Sequence, residues 1–128
     1  MLHHLSFGVA DLVRATTFYD AVLSALGYQR VWTDDDAIGY GLSGGGDLFC
    51  LKLRGANAKA PGDGFHLAFA APSPAAVVQF HAVALLHGGI DNGSPGLRLD
   101  YGDDYFAAFV IDPDGHHIEA VWSNRCTC

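Results

Sequence analysis

HLSFGVADLVRATTFYDAVLSALGY, residues 4–28, decides the fold, because its opening returns later in the chain. His4-Leu5-Ser6-Phe7 recurs as His66-Leu67-Ala68-Phe69, sixty-two positions on. The same offset carries Phe18 onto Phe80, Leu23 onto Leu85 and Gly27 onto Gly89. One offset holding over about two dozen residues implies two copies of one structural unit. The first spans about 1–54 and the second about 64–123, with a Gly/Ala/Pro/Asp connection at 55–63 and a tail at 124–128.

Each copy opens with strand periodicity and passes into a helix. Leu5, Phe7 and Val9 alternate with His4, Ser6 and Gly8; Leu67 and Phe69 alternate with His66, Ala68 and Ala70. Asp11 caps the first helix through its carboxylate, and Leu12, Ala15, Tyr19, Val22, Leu23 and Leu26 make its apolar stripe. Ser73 caps the second, Pro74 suits its first position, and Val77, Phe80, Ala84 and Leu85 form the stripe. Three strands should follow each helix, at about 28–33, 37–43 and 47–53, then at about 89–93, 105–111 and 116–122. The stretch 94–104 reads as irregular, and Asp34-Asp35-Asp36 as a solvated turn. Asp112-Pro113-Asp114-Gly115 is a tight turn, since Pro presets φ and Gly admits the left-handed conformation. Two tandem βαβββ modules make an α+β protein: a curved mixed sheet with a central cleft and helices outside.

Composition narrows the function. With 128 residues, half of them hydrophobic, the chain buries a real core. A net charge of −7, with seven scattered basic residues, argues against nucleic acid and anionic membranes. No apolar run approaches the roughly 20 residues that span a bilayer. The opening MLHHLSF does not read as a signal peptide. Three cysteines without framework spacing, Cys50, Cys126 and Cys128, suggest reduced thiols and a cytoplasmic setting. The terminal pair supplies too few donors for a metal.

If the alternating apolar residues face the helices, His4, His66 and Glu119 face the other way. Ser6, Gly8, Ala68 and Ala70 share that face and leave space beside them. Two imidazoles and a carboxylate with vacant positions suit a first-row divalent ion that admits water or substrate. Singly, each has a plainer reading: a strand histidine is commonly a hydrogen-bonded structural residue, and Glu119 fits a solvated edge, alone or paired with Arg125. The repeat tips the balance, because it places His at the same strand position twice. His117 shares the parity of Glu119; His81, His87 and His116 read as surface or structural residues.

At these positions the chain resembles the vicinal oxygen chelate superfamily of glyoxalases, bleomycin resistance proteins and dioxygenases. Residues 4–28 resemble its first strand and helix. GFHLAFAAPSPAAV (64–77) resembles its fifth strand and second helix, and DPDGHHIEAV (112–121) its last hairpin. The stretch 95–121 is also similar to a bacterial glyoxalase-like subgroup of undefined substrate. The resemblance implies metal ligation by His4, His66 and Glu119, the ion being Zn, Ni, Mn or Fe. It implies a small-molecule substrate and a homodimer, with the modules assembled within one chain or exchanged between two. In glyoxalase I proper a second Glu completes the site. Aligning Gly46 with Gly115 puts Cys50 in that slot, which argues against a true lactoylglutathione lyase.

The expected function is therefore a metal-dependent isomerase, lyase or transferase for an oxygen-rich substrate, with Glu119 and Tyr105 catalytic. Arg98, Tyr101, Cys50, Lys52 and His117 are the candidate substrate contacts; the guanidinium of Arg98 suits a carboxylate or phosphate. Trp32, Tyr40 and Phe109 read as cleft walls or as core. The alternative is a metal-free binder of the bleomycin-resistance type, holding a cationic molecule on acidic and aromatic surface. A third possibility is a module that only pairs with a partner chain.

Overall fold

The computed structural model describes residues 1–124. Its elements are β1 (Leu5–Val9), α1 (Leu12–Ala25), β2 (Gln29–Thr33), β3 (Ala37–Gly41) and β4 (Phe49–Leu53), then β5 (Leu67–Ala70), α2 (Pro74–Leu86), β6 (Ile90–Leu97), β7 (Phe106–Ile111) and β8 (His117–Trp122). Short 3-10 turns occupy Gly55–Asn57 and Leu99–Tyr101. The order is βαβββ twice, in an α+β architecture of two open four-stranded mixed sheets, β1-β4-β3-β2 and β5-β8-β7-β6. In each sheet the first strand of the module pairs in parallel with the last. Among the described residues no helix is long and apolar enough to cross a membrane.

The helices start where their caps dictate. The Asp11 carboxylate accepts from the Arg14 amide, and the Ser73 hydroxyl accepts from the Ala76 amide. Each bond satisfies an amide that the first helical turn leaves without a partner. One cluster of buried side chains unites the modules: Phe7, Val9, Phe49 and Leu51 from one sheet, Ala108, Val110, Ile118 and Ala120 from the other, and the apolar faces of both helices. The opposite face of each sheet stays outside that core, with Ser6 and Lys52 exposed on the first and His66, Ala68 and His117 on the second.

The turn before β8 locks the modules together. Buried Asp112 accepts from the Tyr19 hydroxyl of α1 at 2.6 Å, and its other oxygen accepts from the amides of Asp114 and His116. The His116 ring lies 2.9 Å from Asp112 Oδ2 and stacks on Phe7 of β1 at 4.0 Å. Asp114 Oδ1 accepts from the Ala10 amide and from Arg14. His116 is therefore structural and almost fully buried.

Two local expectations need correction, and two open alternatives are decided. The strand expected at 89–93 runs on to Leu97 as β6, because two register irregularities let its Gly- and Pro-containing part keep pairing with β7. Leu85 is exposed, and His81 takes its place on the buried face of α2, held 2.8 Å from Asp91. Tyr40 is core rather than cleft wall, its hydroxyl tied to Asp20. Glu119 does not sit at a solvated edge; it is 1% exposed. Arg125, Cys126 and Cys128 lie outside the described residues.

Candidate functional site

Strand alternation puts Tyr105, Ala107 and Phe109 beside Glu119 and His117 on the outer face of the second sheet, with His66, Ala68 and Ala70 next to them. Glu119 is at the centre, with Ala68 as its neighbour on one side and Phe109 on the other. Small neighbours at Ala68 and Ala107 leave the floor around the carboxylate low. The carboxylate is nevertheless covered. Tyr105 donates its hydroxyl to Glu119 Oε2 at 2.5 Å, and His66 Nε2 stands 3.0 Å from Oε1. Burial first, and then the hydrogen bond to Glu119, push the Tyr105 hydroxyl well above the ordinary tyrosine range. Tyr105 therefore stays protonated and acts as a donor. Its ring meets Tyr101 edge-on at 5.2 Å.

Arg98 borders the same face. Its guanidinium donates to Ser94 O at 2.7 Å and Gly96 O at 3.0 Å, and lies 5.4 Å from the Phe109 ring centre. Those carbonyls belong to the irregular part of β6, so Arg98 braces the segment that carries it. Two of its five N–H groups are used in this way.

The corresponding face of the first sheet carries different chemistry. Cys50 pairs with Ser6 in the ladder as Glu119 pairs with Ala68, so the two hold equivalent positions. The Cys50 thiol donates to Asp47 Oδ2 at 3.1 Å. Burial, followed by the hydrogen bond to Asp47, raises its pKa to about 11, so it is a neutral thiol. Trp32 lies across Gly39, where an added Cβ would fall 2.3 Å from the indole nitrogen. Hydrogen bonds from Cys50 and then Trp32 hold the Asp47 carboxyl below the usual range. Sequence reasoning passes over Asp47, since an acid three residues before a buried cysteine follows no periodic pattern. Lys52 is exposed on the same strand.

Of the three expected metal donors, the single chain brings together two, His66 and Glu119. His4 stands apart from them: its Nδ1 is 2.9 Å from His3 Nδ1, and its ring borders an apolar cavity. Among the described residues, no three His, Cys, Asp or Glu side chains group closely enough to hold one ion. His66 and Glu119 stand at hydrogen-bonding distance, Nε2 3.0 Å from Oε1, and imidazole and carboxylate are both donor types that first-row divalent ions accept.

The family model for the Glyoxalase/Bleomycin resistance protein/Dioxygenase superfamily matches residues 1–120. Among solved structures, a glyoxalase/bleomycin resistance protein from Albidiferax ferrireducens is 34% identical, with 95% of this chain and 98% of that one covered at a TM-score of 0.82. A glyoxalase-related enzyme from Fulvimarina pelagi is 21% identical over 96% and 88% of the two chains, TM-score 0.73. A genomically encoded fosfomycin resistance protein from Listeria monocytogenes is 16% identical over 97% and 93%, TM-score 0.69. The last two likenesses concern the fold alone. No curated protein matches.

Proposed function

This chain belongs to the glyoxalase/bleomycin resistance protein/dioxygenase superfamily, and from that membership we propose that it is a metal-dependent enzyme acting on a small oxygen-rich molecule, with isomerase, lyase or transferase chemistry. The observation that carries the reading is the buried Glu119 carboxylate with the His66 imidazole 3.0 Å away. In this reading Glu119 and His66 hold a divalent ion of the Zn, Ni, Mn or Fe kind. His4 is the proposed third donor, supplied within a homodimer by the module of a second copy. When bound, such an ion supplies Lewis-acid polarisation of adjacent substrate oxygens.

The chain's own residues do the rest. Tyr105 orients Glu119 and holds a proton at its hydroxyl oxygen beside the reacting face. Arg98, with three N–H groups left, offers a planar charge for a carboxylate or phosphate, and Phe109 beneath it limits water. Tyr101 and His117 border this face, while Lys52 and Cys50 belong to the opposing one. Because Cys50 is a neutral thiol where a second carboxylate would stand, lactoylglutathione lyase chemistry is disfavoured. Metal content of the purified protein, compared with His66→Ala and Glu119→Gln, tests the reading: both variants should lose the ion, and unchanged content in both rejects it.

One observation favours a second reading, a metal-free binder of cationic molecules. A single chain groups two donors, and Glu119 already has both His66 and Tyr105 against it. Thermal shift of the chelated protein separates the two readings: stabilisation by an organic cation, with no response to Zn, Ni, Mn or Fe, supports binding without a metal.

A further inference from the structure

A cavity of about 170 Å³ lies between the start of β1 and the edge strand β5. Its walls are Leu5, Leu23, Phe49, Leu67 and Phe69. Two tyrosines also line it, yet neither hydroxyl is available: Tyr28 donates to Ala70 O at 3.0 Å and Tyr40 to Asp20 at 2.7 Å. The rim is formed by exposed Leu2, exposed Leu48 and His4. Ala68, which also lines the cavity, is the ladder neighbour of Glu119. The space thus runs from one expected metal donor to the strand position beside another.

We propose that this cavity seats a compact, uncharged hydrocarbon group, a phenyl ring or a branched aliphatic of similar size, carried by the molecule on which the protein acts. Volume and lining support this occupant. A closed leucine- and phenylalanine-lined void of about 150 Å³ takes up benzene, because water needs two to four polar partners that such walls do not offer; the space here is of similar volume but half open, so its inner wall alone offers that environment. Here the interior polar atoms are already paired within the protein, so a charged or strongly hydrated group would lose its solvent shell without compensation. His4 at the mouth gives the hydrocarbon a polar exit, and the oxygens of the same molecule would emerge there. The link to the reaction rests on the metal reading above; the seat for the hydrocarbon does not.

Benzene alone is the probe, followed by the aromatic NMR resonances of Phe49 and Tyr28 in the full chain under chelating conditions. Saturable shifts are expected, with none from formate, which carries no hydrocarbon to seat. Leu48→Trp and Leu67→Trp each enlarge a side chain that lines the space, and either, with an unchanged melting temperature, should weaken benzene binding at least tenfold. No saturable shift up to the solubility of benzene overturns the proposal, as does a shift that both variants leave intact. A stable dimer that excludes benzene also overturns it, since a second copy would then fill the space. Chelation keeps the assay independent of the metal, so failure here leaves the Glu119 metal test standing, and the reverse holds too.

Discussion

Replacing Tyr19 with Phe removes one oxygen from the centre of the lock between the modules. The ring is fully buried and keeps its packing, so the loss is confined to the 2.6 Å bond from its hydroxyl to Asp112 Oδ2. A hydrogen bond to a charged group contributes about 1.5–3 kcal/mol. Unfolding entropy of about 2.1 cal/mol/K per residue, over a chain of 128 residues, gives about 0.27 kcal/mol/K. Tyr19→Phe should therefore lower the melting temperature by about 6–11 °C. Denaturant unfolding of the single variants and of Tyr19→Phe combined with Asp112→Asn isolates the pair. A loss under about 0.5 kcal/mol, or a coupling energy near zero, refutes the assignment. Alkaline titration adds a second arm. Burial, and then the Asp112 carboxylate, hold the Tyr19 hydroxyl well above its unfolded pKa. A raised pKa contributes stability that is complete below about pH 10 and lost as pH rises toward the folded value. Wild type should therefore lose stability above about pH 10 more steeply than Tyr19→Phe.

Peptide mapping after alkylation at pH 8 should show Cys50 labelled more than about a hundredfold slower in the native protein than in the unfolded one. A pKa of about 11 leaves roughly a thousandth as thiolate, against about a quarter for an ordinary thiol. Gly39→Ala should force Trp32 off the strand, an overpacking that costs about 1–3 kcal/mol; unchanged indole fluorescence would contradict that. Tyr105→Phe leaves the Glu119 carboxylate with His66 alone and should cost about 1–3 kcal/mol in the chelated protein, measured by denaturant unfolding.

Element by element, the sequence is a good guide where the signal is local. Asp11 and Ser73 cap the helices they are expected to cap, because a side chain three residues from its amide needs no tertiary context. β6 is longer than expected, because pairing with β7 overrides Gly93, Pro95 and Gly96, which read locally as breakers. Leu85 follows the repeat offset yet is solvent-facing, because the two helices do not bury identical stripes. At the site, strand parity put His4, His66 and Glu119 on the face away from the helices, and the structure brings the last two together there. Parity gave no hint that Glu119 would be covered, or that Asp47 would take the Cys50 proton donor. Both depend on which neighbouring strand brings a partner alongside.

The sequence alone determined the duplicated βαβββ plan, because a repeat offset and a two-residue period are properties of the chain order; the equivalence of Cys50 with Glu119 lies outside that offset and rests on their matching ladder partners, Ser6 and Ala68. Tertiary structure alone decided which candidates meet. His66 and Glu119 converge because β5 and β8 are neighbours in one ladder, whereas His4 enters from the other sheet and borders a different space. Parity fixes the face a side chain points from, but only the packing of one sheet against the next sets what stands opposite it.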